Sequence, residues 1–501
     1  MSGTHVVHLL DELALEGPLD ACRAAFPERA GTFLLDGGAF TFFGAEPTLS
    51  FRAFRTSRRT ASGALAGRVV VHRDGGEAVE HEVDDPLEAL RALLREHAID
   101  PSVFVGRPIP LLAGAVGYVG YETGQMLERL PAEPRDRVDL PDIALSFHDW
   151  VIGRCRRTGR TWLSVVGRGA TSGEARHLAT RARDHVRDRL AARAVALGGA
   201  RAAVVPDLHL DATRALDAAG AKETVAPADY LAKIAEAKEH IACGDAFEIC
   251  LTHRLDAPFA GDPFALFETL RKASPAPYAA FLDLPEAAIV SSSPERFVSL
   301  DAEGIAESRP IKGTRPRGHT PDDDERLAKD LATSIKDRAE NAMIVDLVRN
   351  DLGRVCRMGS VEVPRLYEVE RYATVHQLVS TIRGQLDTGR DAIDLVRACF
   401  PPGSMTGAPK IEAMTILERL EPTERGPYAG ALGWLDFAGT ADLSVVIRTV
   451  IVKGGVAHLH VGGAIVADSE PSAEHTETLV KARAPLAALA ALAPRLAGAA
   501  E

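Results

Sequence analysis

An α+β fold in two unequal halves is what this sequence predicts, and three patterns carry the prediction. Tyr230, Ile234, Ala237 and Ile241 recur at helical spacing along one face. Gly244-Asp245 then ends that helix ahead of an apolar run over 246–255, so a helix feeds a strand. Near the C-terminus, Val456, His458 and His460 alternate with Ala457, Leu459 and Val461 before Gly462-Gly463, the period of a half-buried strand. With 501 residues, 46% of them hydrophobic, the chain can bury a large core as two domains or as one composite fold.

Taken in order, residues 1–195 form an N-terminal region of short apolar runs broken by glycine. Strand material with turns is predicted over 31–38 and 111–121. An Arg-rich and Ala-rich helix is predicted over 172–197, and an Ala, Gly and Asp rich linker over 196–226. Residues 227–495 make the second region. After the opening helix and strand comes a strand candidate over 288–300 carrying Ser292-Ser293-Pro294-Glu295-Arg296-Phe297. Residues 305–314 then bring in Lys312, and two adjacent strands would set Glu295 beside it. One long helix is expected over 323–352, the late strand over 456–466, and a last helix from about residue 472.

Charge and composition exclude several classes of function. The formal net charge is −12 and the basic residues form no stripe, which argues against a nucleic-acid partner. An anionic substrate would need a local positive site. No stretch approaches about 18 uninterrupted apolar residues, and residues 1–20 carry acids where a secretory leader would be basic and then apolar. A cytoplasmic protein with no membrane partner is expected. Its 6 cysteines show no C-x-x-C spacing, so neither a zinc ribbon nor a disulfide framework is indicated, and they are expected to be reduced core residues.

Two features carry chemistry. Lys312 lies in Arg309-Pro310-Ile311-Lys312-Gly313-Thr314-Arg315-Pro316-Arg317-Gly318, held between a rigid entry and a glycine exit. The flanking arginines are expected to lower its pKa toward a nucleophilic amine, against the alternative of a surface lysine in a basic loop. The pairs Asp337 with Glu340 and Glu474 with Glu477 are each spaced i, i+3, which puts both members on one helical face. Such carboxylates can hold Mg²⁺ together with waters and a substrate carboxylate, and they also occur on solvated helix faces.

In order, Ser292 to Phe297, Pro310 to Gly318, Ala339-Glu340-Asn341 with Asp346 to Leu352, Phe400-Pro401-Pro402-Gly403-Ser404-Met405-Thr406-Gly407-Ala408-Pro409-Lys410, Ile447-Arg448-Thr449 and Gly462 to Ser469 form a series of motifs. Together they resemble the chorismate-utilising enzymes. The resemblance is dense over 225–490 and looser in the first half, through Phe33-Leu34-Leu35 and Gly117-Tyr118-Val119-Gly120-Tyr121. It implies a two-lobed sandwich of large, mainly antiparallel β-sheets with helices packed outside. Among the branches, the lysine of Pro-Ile-Lys-Gly-Thr resembles the one that makes 4-amino-4-deoxychorismate on the way to p-aminobenzoate. Anthranilate synthases typically have alanine there. The isochorismate and salicylate synthases place a water-activating lysine where this chain has Glu248.

By this resemblance, Lys312 attacks C2 of chorismate as the C4 hydroxyl leaves, with Glu295 as general acid, and ammonia then attacks C4 and expels the lysine. The resemblance also implies Mg²⁺ on Glu340 and Glu477, with Glu474 and Asp337 as outer or water-mediated partners. It implies a substrate pocket built from Gly313, Thr314, His376, Thr406, Lys410, Tyr428, Arg448, Gly462, Gly463 and Ala464. Read from the residues alone, His376 could equally be structural and Lys410 a structural cation at a helix start. Three departures stand out. The usual third glycine of the Gly-rich motif is Ala464. The Leu-Leu-Glu-Ser motif associated with tryptophan reads Leu34-Leu35-Asp36-Gly37, faced by a partial match at Pro277-Tyr278-Ala279. No cysteine lies in a Gly-x-Cys-x-Gly turn, so ammonia is expected from a separate glutaminase subunit in a heterodimer, or from solution. Anthranilate synthase component I, and a catalytically idle homologue that binds a glutaminase, are the alternatives.

Overall fold

The computed structural model describes residues 4–15, 19–26, 30–104, 106–194, 206, 210–372 and 375–493. Two antiparallel sheets, each 12-stranded, lie face to face with helices on their outer surfaces. The first sheet runs from His5–Leu13 through Thr161–Gly169, Trp150–Cys155, Phe40–Gly44 and Thr32–Gly37. It continues through Tyr278–Asp283, Ala288–Ser293, Thr449–Lys453, Val456–Ile465 and Glu248–Pro258. The second runs from Ile311–Pro316 through Val375–Gln385, Ile305–Arg309, Arg296–Leu300, Ala441–Val445 and Ala431–Asp436. It then passes into Gly114–Val119, Ile143–His148, Leu49–Arg59, Leu65–Arg73 and Val79–Val83.

Each sheet therefore crosses from the first half of the sequence to the second. Leu34 lies opposite Phe281 at one crossing, and Gly433 opposite Gly117 at the other. Gly433 has no room for a side chain, since a Cβ there would lie 2.1 Å from the Asp442 carbonyl oxygen. Within the expected linker, 196–205 and 207–209 fall outside the described residues. Helix Ala212–Ala218 and the short strand Lys222–Glu223 occupy its remainder.

The core between the sheets draws on both: Phe33, Phe42, Trp162 and Ile289 from one meet Val116, Tyr118, Leu432 and Trp434 from the other. Each large apolar side chain so buried contributes roughly 1.5–3 kcal/mol. On the outer face of the second sheet, Ile344, Val345, Val348 and Leu352 of helix Ile335–Gly353 pack toward Phe297 and Ile382. On the first, Leu486 and Leu489 of helix Pro471–Leu492 join Leu459 and Val461. Helix Pro227–Cys243 buries Tyr230, Ile234 and Ala237, and Gly244, at φ 85, ends it in the left-handed region.

The structure corrects three expectations. The single helix expected over 323–352 is two helices, Pro321–Thr333 and Ile335–Gly353. Ser334 leaves helical geometry (ψ 116) and its hydroxyl caps the second helix by accepting from the Asp337 amide. The strand expected over 288–300 is two strands in different sheets, because Pro294 cannot donate to a ladder and the chain steps between layers there. Lastly, the six cysteines are all free, but Cys243 is exposed at a helix end and Cys155 is only half-buried.

Candidate active site

The step at Pro294-Glu295 puts a carboxylate at the seam between the two sheets. Ser293 fixes the step: its hydroxyl donates to the Val445 carbonyl at 2.5 Å and accepts from the Glu295 amide. The Glu295 carboxyl is buried, accepts from the Ser404 hydroxyl at 2.7 Å and is hydrogen-bonded by the Ile311 backbone. Burial pushes its pKa up to about 7, with those hydrogen bonds and the Lys312 charge acting the other way. It is therefore a carboxyl able to give up a proton near neutral pH. The neighbouring Arg296 is engaged elsewhere, by Glu307, Asp442 and the Tyr278 hydroxyl.

Lys312 reaches the same seam from the second sheet. Between the pairs Ile311 with Val379 and Thr314 with Gln377, two residues oppose one, so Lys312-Gly313 forms a β-bulge. Gly313, at φ 87, supplies the left-handed residue the bulge needs, and a Cβ there would lie 2.8 Å from the Asp337 carboxylate. So aimed, Lys312 Nζ donates to Glu248 Oε1 at 2.8 Å, and Glu248 is a fully buried residue opening the Glu248–Pro258 strand of the opposite sheet.

Here the structure overturns an expectation. Burial works against the Lys312 ammonium, but the Glu248 carboxylate, with Glu340 farther off, outweighs it and holds the pKa above its ordinary value. The three arginines do not lower it because each faces its own acid: Arg309 with Glu370, Arg315 with Asp330 and Asp337, Arg317 with Asp324. Lys312 rests as an ammonium with its proton acceptor already in contact.

Other expected residues divide into two groups. Arg448, at φ 50, holds a conformation rare for a non-glycine residue. Its guanidinium makes no ion pair or side-chain hydrogen bond among the described residues, and burial alone lowers its pKa. A partly buried cation without an anion is a ready site for a substrate carboxylate. Tyr428 is buried and stacks on His460 at 5.3 Å. Gly462, Gly463 and Ala464 pair with Thr252, Leu251 and Cys250 at the end of the Val456–Ile465 strand. Thr314 is exposed on the Ile311–Pro316 strand.

By contrast, three side chains are committed to framework bonds. His376 is fully buried and bonds Asp324 of helix Pro321–Thr333 at 3.0 Å. Lys410 binds Asp351 at 2.7 Å and the Cys399 carbonyl at 2.8 Å. The buried Thr406 hydroxyl donates to the Gly403 carbonyl.

For a metal, Glu340 and Glu477 both feel the charges of Lys312 and Lys336, so two helices bring them to one neighbourhood. Burial raises the pKa of Glu340, aided by Glu248 and Asp337 against Lys312 and Lys336. Burial acts in the same direction on Glu477, but Lys481, in contact at 2.9 Å, holds it below the ordinary range. Glu474 accepts from Ser469 at 2.7 Å, and its other oxygen lies 3.3 Å from where a Cβ on Gly463 would be. Asp337 is paired with Arg315 at 3.0 Å. Among the described residues these four do not converge into a cluster of three ligand atoms. Hard carboxylate oxygens beside glycine-made space suit Mg²⁺, which keeps waters and takes substrate oxygens rather than filling an all-protein cage.

Glu248, Ser404 and Lys481 belong at this site although the resemblance assigned them no role in it. A glutamate inside the apolar run 246–255 was the visible trace of Glu248, and Lys481 follows Glu477 by one helical turn. Lys481 Nζ also donates to the Gly462 carbonyl at 2.9 Å. Apart from this seam, Leu35, Gly37, Phe40, Tyr278, Arg296 and Trp434 are among the residues lining a cavity of about 270 Å³ between the sheets. There the segments at Leu34-Leu35-Asp36-Gly37 and Pro277-Tyr278-Ala279 meet, with Asp36 held by Arg271 at 2.8 Å.

A sequence profile of the family described as chorismate binding enzyme matches residues 50–487. An aminodeoxychorismate synthase from Streptomyces pristinaespiralis is 43% identical over 428 residues, 85% of this chain and 57% of that protein. The chain thus spans little more than half the length of that relative. Anthranilate synthase component 1 from Mycolicibacterium smegmatis is 37% identical over 95% of this chain and 89% of its own length. Among solved structures, anthranilate synthase component I from Streptococcus pneumoniae superposes with a TM-score of 0.73 at 28% identity, covering 90% of this chain and 92% of that one. Among the described residues no helix is long and apolar enough to cross a membrane.

Proposed function

This chain belongs to the chorismate binding enzymes, and we propose that within that family it aminates chorismate at C4, giving 4-amino-4-deoxychorismate. The observation that carries this reading is the half-buried Lys312 held at 2.8 Å from Glu248 at the same seam as Glu295. Glu248 takes a proton from Lys312, and the freed amine attacks C2 of chorismate. Both double bonds of the ring diene shift, from C1=C2 and C5=C6 to C1=C6 and C4=C5, the C4–O bond breaks, and Glu295 protonates the departing hydroxyl to water. Ammonia then attacks C4, both double bonds return, and the C2–N bond breaks to restore the Lys312 amine. The proton lost by the new amine returns to Glu295, and that held by Glu248 returns to Lys312, so both groups regain their starting states.

Arg448 and the backbone at Gly462 and Gly463 hold one substrate carboxylate. Glu340 and Glu477 would hold Mg²⁺, whose role is to bind and neutralise the other. Ammonia comes from a separate glutaminase subunit or from solution.

Incubating the protein with chorismate, Mg²⁺ and an ammonium salt tests the reading by product. Formation of 4-amino-4-deoxychorismate supports it, whereas fluorescent anthranilate would move the assignment to C2 amination, and no turnover with retained glutaminase binding would make the chain a regulatory partner. Lys312→Ala should lose both the product and any substrate adduct detectable by mass. Unchanged activity in that variant would sink the covalent step.

A further inference from the structure

A second cluster of ligating groups lies where helix Pro471–Leu492 meets the strands Lys222–Glu223 and Glu248–Pro258, and the chemistry above uses none of its three residues. Glu223 pairs with Leu255 across the Lys222–Glu223 and Glu248–Pro258 strands, so it projects from the same face as His253, two residues before Leu255. His475 enters from the helix. Its Nε2 is 2.8 Å from Glu223 Oε2, and His253 Nδ1 is 3.5 Å from the same oxygen. One ligand atom from each of the three residues lies within 4.8 Å of the others.

The hydrogen bonds around His253 set its lone pair. Thr478 donates its only hydroxyl hydrogen to the His475 carbonyl at 2.7 Å, so at 2.9 Å from His253 Nε2 it accepts. Nε2 therefore carries the hydrogen of the neutral ring, and Nδ1 presents a lone pair to the Glu223 carboxylate. That nitrogen is buried, on a residue with no exposed surface, and has no hydrogen-bond partner among the described residues. Two electron-pair donors facing each other away from water are unfavourable unless a cation lies between them. The Tyr230 ring, 4.4 Å from the His253 ring, holds the imidazole in place.

We propose that Glu223, His253 and His475 bind a zinc ion. Two imidazole nitrogens and one carboxylate oxygen are a common zinc donor set, and tetrahedral bonds of about 2.0–2.1 Å set ligand atoms roughly 3.4 Å apart, close to the spacing present. On binding, the neutral His475 ring carries its hydrogen on Nδ1 instead of Nε2, and the His475 to Glu223 hydrogen bond gives way to two bonds to the ion. The fourth position is left to water, and the partly exposed side chains of Glu223 and His475, 13% and 14%, mark the route in. The ion would pin the edge strand, its neighbour in the sheet and the last helix together, without touching the reacting atoms at Lys312.

The test uses the full chain, stripped with a chelator and titrated with Zn²⁺ in excess Mg²⁺. One zinc should bind per chain, and X-ray absorption at the zinc edge should show two imidazole nitrogens. Glu223→Gln and His475→Asn should each weaken binding at least tenfold and abolish the rise in Tm that zinc gives the parent protein. Arg483→Gln, on the same helix but outside the cluster, should leave zinc affinity unchanged. Absence of stoichiometric binding, a zinc shell without imidazole, or undiminished affinity in both cluster variants overturns the site.

Discussion

Glu295 carries the strongest consequence at the scale of single residues. Its pKa in the folded chain is about 7, above the ordinary carboxyl value of 4.5, so the folded state prefers the protonated form. The associated stability is present below pH 4.5 and is lost as pH rises through 7, at a cost of about 3 kcal/mol above that. Glu295→Gln should therefore lose activity by roughly 10²- to 10⁴-fold while gaining thermal stability over the parent at pH 8 but little at pH 5. Calorimetry at the two pH values checks the pairing, and an equal gain at both would refute the raised pKa. Glu248→Gln makes the complementary case. Removing the acid 2.8 Å from Lys312 leaves a buried ammonium unpaired, so the Lys312 pKa should fall and stability should drop by about 3–5 kcal/mol. Amine-directed labelling of Lys312 at pH 8 should accelerate in that variant, a gain that mere unfolding can be separated from by circular dichroism.

Among the elements, the bulge at Lys312-Gly313 and the break at Ser334 do most to place the chemistry. Gly313→Ala would put a methyl against Asp337 at a φ of 87, so the bulge must reshape and Lys312 must turn. Turnover should fall at least tenfold, with substrate affinity less affected. Ser334→Ala removes the cap of helix Ile335–Gly353 and should cost about 1 kcal/mol, read as a lower Tm without loss of the Lys312 adduct. These same elements show how far the sequence could be read. Helix Pro227–Cys243 was plain because its buried positions keep one period and a glycine ends it. The break at Ser334 was masked because Leu331 and Ile335 keep helical spacing across it, although Ser334 with Asp337 three residues on is the pattern of a helix N-cap. The change of sheet within 288–300 was likewise hidden: Pro294 marks a break, but a run of buried residues reads alike whether it stays in one sheet or passes between two. Motif residues announced Lys312 and Glu295, but the sign of the Lys312 shift was not legible. It depends on Glu248, 64 positions away, and on acids that occupy the nearby arginines.

Considered whole, the molecule has no plane along which its sequence halves separate. Thr32–Gly37 is laddered to Tyr278–Asp283 and Gly114–Val119 to Ala431–Asp436, so either half alone would expose two unpaired strand edges. Thermal unfolding should be a single transition, and a fragment spanning 227–501 should fail to fold. The tryptophans provide the check: Trp150 and Trp162 report one sheet and Trp434 the other. Single-tryptophan variants should melt at coincident temperatures, and two separated midpoints would contradict the shared ladders. The layering has a consequence for how the enzyme can vary. Glu295 sits where the chain changes layer, and Lys312 meets Glu248 from the opposite layer. The alignment of these three side chains is thus set by the thickness of the apolar filling between the sheets, as the gap of a caliper is set by what it grips. An added methylene at Val116 or Ile451, far from any reacting atom, would be registered as a change in rate before it was registered as a change in shape.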